Sequence, residues 1–206
     1  MTAVTHFEIL VEESSMEAFL QGLLPRLLPE DISFLIHSFQ GKPDLLGKLR
    51  QQLRAYANWI PPDYRIVVIV DRDEEDCRKL KRRLEDAATS AHFVTRTQAA
   101  GNRWQLVNRI AIEELEAWYF GDWTAVQTAY PGVGPHIPRK AKFRDPDAIH
   151  GGTWEAFHRI LKKHGYFLYG FRKGEAARAL GCLVESHRSS SRSFTLLCDA
   201  FTEAIG

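Results

Sequence analysis

The stretch IVVIVDRDEEDC, Ile66 to Cys77, passes from five consecutive β-branched residues straight into a cluster of acids: Asp71, Asp73, Glu74, Glu75 and Asp76. An unbroken β-branched run without polar alternation predicts a strand buried on both faces, as in a parallel sheet. The strand is expected over Arg65–Asp71. It would therefore deliver its carboxylates to the rim of a sheet rather than to an arbitrary surface loop.

The flanking sequence has the same layout. His6–Val11 (HFEILV) and Ile32–Ser38 (ISFLIHS) read as strands. Ser14 or Ser15 caps a helix striped with Met16, Phe19, Leu20, Leu23 and Leu24, which Pro25 kinks or ends. Leu45–Trp59 carries Leu45, Leu49, Leu53 and Tyr56 at helical spacing until Pro61 and Pro62. Asp76–Ala88 follows the central strand as a helix, and His92–Thr95 (HFVT) reads as another short strand. Strand and helix alternate through the first hundred residues, which implies an open parallel sheet with right-handed crossovers. Trp104–Ile112 reads as a further strand and Glu113–Phe120 as the start of a helix. Tyr130–Gly152 reads as a long loop. Trp154–Lys163, Gly174–Ser186 and Ser193–Ile205 read as helices. The expected fold is α/β: an open, mainly parallel sheet flanked by helices. Residues 1–125 would form the core, with a mainly helical C-terminal extension, 126–206, packed on it.

Composition narrows the function. The chain has 206 residues, 45% hydrophobic and 26% charged, as in a folded globular protein. Its 27 Lys and Arg against 26 Asp and Glu leave a net charge of +1, so no global field marks a nucleic-acid or membrane binder. A polyanion would have to be met by a local basic patch or through metal ions. The three cysteines, Cys77, Cys182 and Cys198, are too few and too scattered for a disulfide framework or a zinc cluster, and read as small buried hydrophobes. No signal-type or membrane-spanning run is visible, and a cytoplasmic protein is expected. The chain has neither a phosphate-binding G-x-x-x-x-G-K-[ST] loop nor an H-E-x-x-H zinc motif.

Ligands of open parallel sheets bind at the carboxyl ends of the strands. Glu12 and Glu13 end the first strand, Asp71 and Asp73 the third, and Glu113, Glu114 and Glu116 follow the last. Converging carboxylates raise one another's pKa unless a cation neutralises them, and Mg2+ does so while keeping waters and substrate phosphates as its other ligands. On an extended segment Asp71 and Asp73 would face the same way and could hold one ion, or bridge two about 4 Å apart. The plainer role for Glu74, Glu75 and Asp76 is to favour the N-terminus of the next helix.

Three segments carry a family resemblance: LVEESSMEAFL (Leu10–Leu20), VDRDEEDCRKLKRRL (Val70–Leu84) and IEELEAWYFGD (Ile112–Asp122). A weaker match is SRSF (Ser191–Phe194). In this order they resemble the Toprim fold of primases, topoisomerases and overcoming-lysogenization-defect nucleases. They more closely resemble a Toprim-like family known only as a domain of unknown function, whose members often neighbour ATPase genes in bacterial defence islands. The resemblance implies a Mg2+- or Mn2+-dependent nuclease acting on DNA or RNA as the effector of an ATPase-partnered anti-phage system. Glu12, Asp71 and Asp73 would be catalytic metal ligands, and Glu114 and Glu116 would complete a second metal position. Lys173 would stabilise transition-state charge, with Lys140 and Lys142 as alternatives. Toprim motifs usually read Glu-Gly after the first strand, whereas this chain has Glu12-Glu13.

Nucleic-acid contacts are expected from Arg139, Lys140, Lys142 and Arg144, from Lys162, Lys163 and His164, or from Arg188 and Arg192. No membrane partner is expected, and a homo-oligomer is allowed. One competing reading is a non-catalytic Toprim-like scaffold that docks an ATPase, favoured by the missing Gly. Another is a receiver-type phospho-acceptor, which leaves Glu114 and Glu116 unexplained.

Overall fold

The computed structural model describes residues 3–101 and 103–206. Its centre is a four-stranded, all-parallel sheet built from β1 (His6–Val11), β2 (Ser33–Ser38), β3 (Tyr64–Asp71) and β4 (Leu106–Ala111), in the order β2-β1-β3-β4. β3 lies between two neighbours and every residue from Arg65 to Asp71 is buried, as its β-branched run predicts. Its alternate residues feed two separate cores. Val67 and Ile69 face one layer, while Ile66, Val68 and Val70 face the other.

The second layer is formed by α2 (Lys42–Ala57) and α3 (Cys77–Ser90), through Leu45, Leu49, Leu53, Leu80 and Leu84. The first layer is α1 (Ser14–Leu27) with the C-terminal helices. These begin with α4 (Leu115–Gly121) and α5 (Trp123–Ala129), followed by three short 3-10 turns between Ile137 and Ala148. Then come α6 (Thr153–Lys163), α7 (Lys173–Gly181) and α8 (Arg192–Ile205). Phe157, Leu180 and Phe194 of these helices share one core with Phe7 of β1 and Phe19 of α1.

α1 and α7 pack very closely. A Cβ on Gly181 would stand 2.2 Å from the Phe19 carbonyl oxygen, and one on Gly22 would stand 2.8 Å from the Cys182 nitrogen. Glycine at both positions therefore sets how near the helices come. This contact presses the start of α7 toward the rim where β1 ends.

Some local expectations change. His92–Thr95 makes only an isolated bridge, Thr95 to Leu106, because the chain turns back at once through amides of Gln98 and Ala99 bonded to the Thr95 carbonyl. α7 stops at Gly181, short of Ser186, where Leu183 and Val184 turn back onto the Leu180 carbonyl. α1 continues past Pro25 to Leu27. Of the three free cysteines only Cys198 is buried, and Cys182 is exposed. Among the described residues, no helix is long and apolar enough to cross a membrane.

Candidate active site

The chain leaves β1 toward β2 on one side, then returns through α2 to place β3 on the other. The crevice at the carboxyl ends of β1 and β3 is thus the topological switch point, where open α/β sheets take their ligands. Glu12 follows β1 directly and Asp71 is the last residue of β3. A Glu12 carboxylate oxygen accepts the Asp71 amide hydrogen at 3.3 Å, which locks the two strand ends together. Glu116, in the first turn of α4, joins them from beyond the end of β4.

All three carboxyls are buried, Asp71 at 4% exposure and Glu116 at 1%. Burial raises the Glu116 pKa to about 8, with Glu114 and Glu13 adding to the rise and Lys173 opposing it. Burial likewise brings Glu12 to about 7, with Asp73 pushing up and Lys42 and the Asp71 amide pulling down. The Asp71 carboxyl is pushed well above the usual range by burial, then by Glu12 and Glu116. Its Oδ1 is buried without a hydrogen-bond partner, as is the nearby Tyr119 hydroxyl, whose pKa burial and Glu116 also raise. A buried, unpartnered carboxylate oxygen among other acids is costly unless something positive meets it.

Two lysines supply countercharge. Lys173 opens α7, and its Nζ lies 3.8 Å from Glu13 and 5.6 Å from the Trp154 ring centroid. Burial lowers the Lys173 pKa, but Glu116, Glu13, Glu114 and Asp71 outweigh it and the net shift is upward. The Toprim resemblance had pointed to this lysine, and the close α1–α7 packing brings it to the acids. Lys42, absent from the sequence-based set, is 7% exposed at the start of α2. Its Nζ contacts Asp73 at 2.5 Å, Glu75 at 3.4 Å and the Arg72 carbonyl at 3.1 Å. The signal for it was positional: Lys42 lies just beyond β2, on the same rim as the acids.

The remaining acids divide. β3 ends at Asp71, and Asp73 lies beyond it at φ 50°, so the D-x-D pair is not extended and its carboxyls do not share one orientation. Asp73 is half-exposed and paired with Lys42, although its charge still reaches Glu12. Glu114 caps α6, accepting from the Thr153 and Trp154 amides at 3.0 Å and from the Thr153 hydroxyl at 2.8 Å. Asp76 caps α3 through the Lys79 amide, and Glu75 pairs with Arg83 and Lys42. Glu113 pairs with Arg72. Among the described residues, no three His, Cys, Asp or Glu side chains stand arranged to hold a metal ion. Glu12, Asp71 and Glu116 offer only oxygen donors, the type a hard divalent cation takes, with Asp71 Oδ1 unpartnered, but they do not converge on one point as they stand. Side-chain rotation would have to complete the coordination.

The expected basic contacts also divide. Lys140 and Lys142 line a cleft of about 250 Å3 with Arg159, Lys163 and His164. Arg139, Arg144, Lys162 and Arg192 are exposed. Arg188 is committed to Asp122 at 2.8 Å and the Leu183 carbonyl at 2.7 Å, so its guanidinium is not free for a phosphate. In SRSF, Ser191 caps α8 and Ser193 accepts from the Trp118 indole at 2.9 Å, which gives the motif a structural role. Trp118, Tyr119 and Phe120 are core residues, and so is Trp104.

Comparison with curated proteins found no match, and comparison with solved structures found none either. One family model matches residues 11–204, a span that includes every acid and lysine of the site, and the chain belongs to that family, Domain of unknown function (DUF4276).

Proposed function

We propose that this protein is a Mg2+- or Mn2+-dependent nuclease of Toprim type that hydrolyses phosphodiester bonds in DNA or RNA. The observation that carries the reading is the buried, unpartnered Asp71 carboxylate between Glu12 and Glu116 at the switch point of the sheet. Glu12, Asp71 and Glu116 would hold the cation, with Asp73 joining if it leaves Lys42. Bound there, a divalent ion supplies Lewis-acid stabilisation of the charge that builds on a phosphoryl group.

The other roles belong to the chain's own groups. Glu12, bonded to the Asp71 amide at the rim, would either hold the cation or, left outside its coordination, take a proton from the attacking water. Lys173 carries a fixed positive charge at the rim and would meet the growing negative charge on the phosphate oxygens. Lys140, Lys142, Arg159 and Lys163 would hold the nucleic-acid backbone without reading sequence. The resemblance to defence-island families adds an ATPase partner that controls cleavage.

A non-catalytic scaffold is the second reading. It is favoured by the Lys42–Asp73 and Lys173–Glu13 pairs, which partly neutralise the acids from within. Incubating plasmid, single-stranded DNA and tRNA with Mg2+ or Mn2+, with and without the neighbouring ATPase, decides between them. The nuclease reading expects metal-dependent cleavage by the wild type and none by Asp71→Ala. A wild type that cleaves nothing under any of these conditions leaves the scaffold.

A further inference from the structure

Between α6 and α7 the chain reads KKHGYFLYGFRK, Lys162 to Lys173. Cations stand at both ends of four aromatic residues and a leucine, and no acid interrupts them. The base of this loop is anchored. Phe171 lies parallel to Trp154 with centroids 6.4 Å apart and meets Phe157 edge-on at 5.9 Å. Phe167 packs against Tyr130 at 5.9 Å, and the Tyr166 hydroxyl donates to the Pro131 carbonyl at 2.6 Å.

The tip is not anchored. The Gly170 amide bonds the Phe167 carbonyl at 3.3 Å, closing a turn whose two central residues are Leu168 and Tyr169. Turn tips ordinarily carry Gly, Asn, Asp or Ser. Here Leu168 is 49% exposed and Tyr169 fully exposed. Gly165, Phe167 and Gly170 all have positive φ. Lys162, Lys163, His164 and Arg172 surround it, all exposed. Tyr169 is four residues from Lys173, so their Cα atoms lie within about 14 Å, and Lys173 itself sits among the carboxyls.

We infer that the Leu168–Tyr169 turn is a base-stacking platform for single-stranded nucleic acid. It rests on the nuclease reading of the neighbouring carboxyls and names the form of substrate that they receive. Arg172 pairs with Glu175 at 2.9 Å, but Lys162, Lys163 and His164 stand exposed beside the turn with no acid between Lys162 and Lys173, which favours a polyanion over a protein partner. A stacking aromatic needs an open base face, which a single strand offers and a duplex hides. The anchored aromatics hold the base of the loop, leaving the exposed Tyr169 ring free to stack.

The test is fluorescence anisotropy with the full chain in EDTA, so that binding is read without cleavage. The probes are a labelled oligothymidylate, an abasic oligomer of equal length and a duplex. The wild type should bind the oligothymidylate tightest. Tyr169→Ala should weaken that binding roughly 5- to 100-fold while leaving the abasic oligomer unchanged, and Tyr169→Phe should retain it. Tyr169 is wholly exposed, so its replacement leaves the core untouched. Equal binding of abasic and base-bearing oligomers, or unchanged binding by Tyr169→Ala, overturns the inference, as it would if the tip instead docks a protein. Tyr169-dependent binding without any metal-dependent cleavage keeps the platform and removes the nuclease. Cleavage with Tyr169 irrelevant to binding does the reverse.

Discussion

Glu116→Gln should stabilise the protein in EDTA, by an amount that grows as pH rises above about 4.5. Glu116 is 1% exposed, and its pKa rises from an ordinary 4.5 to about 8, chiefly through burial. Between those values the folded chain binds a proton that the unfolded chain does not. Stability therefore falls as pH rises through this window, and the loss is complete above the folded pKa. At about 1.4 kcal/mol per pH unit the penalty approaches roughly 5 kcal/mol, an upper bound because water entry and side-chain rotation relieve part of it. Glutamine keeps the shape and cannot ionise. Urea unfolding of both proteins in EDTA should give similar stabilities near pH 4.5 and a gap of several kcal/mol in favour of the variant near pH 9. Because Lys173 opposes the rise, Lys173→Met should raise the Glu116 pKa further and extend the loss above pH 8. A difference between Glu116→Gln and wild type that is equal at both pH values would refute the reasoning.

Other outcomes follow from particular contacts. Gly181→Ala should destabilise by about 1–3 kcal/mol in urea unfolding, since its Cβ would meet backbone at Phe19 rather than a movable side chain. The same change should weaken any cleavage, because α7 carries Lys173. Lys42→Met removes a cation that holds Glu12 down, so the Glu12 pKa should rise from about 7, read by carboxyl carbon NMR. Arg188→Ala leaves Asp122 buried at 1% exposure without its cation and should cost about 3 kcal/mol in urea unfolding, with no selective loss of nucleic-acid affinity.

Much of the fold was readable because each strand carries its own signature. The β-branched run of β3 announced double-sided burial, and alternating helices and strands implied parallel pairing. The short 92–95 segment misled because Phe93 buries while Val94 stays exposed, and the pair reaches the sheet only through one isolated bridge at Thr95. Asp71 and Glu12 were legible from their places at strand ends. The orientation of Asp73 was not, since it depends on where β3 stops and on a left-handed residue beyond it. Glu114 looked like a ligand by spacing, yet α6, far along the chain, takes its carboxylate as a cap. Tyr119 reaches the acids only through tertiary packing, whereas Lys42 was legible from its place just beyond β2. The charges of Arg188 and Arg192 look alike in sequence, but only Arg188 meets a buried aspartate.

The most direct test of the central claim is a Mn2+ titration of the purified protein at pH 8, followed by electron paramagnetic resonance. The account predicts that wild type removes free Mn2+ from solution, and that Asp71→Asn, which keeps the side chain's shape and loses its charge, does not. Wild type that leaves all Mn2+ free at millimolar metal, or an Asp71→Asn variant that binds as well as wild type, would contradict a metal centre built on Asp71.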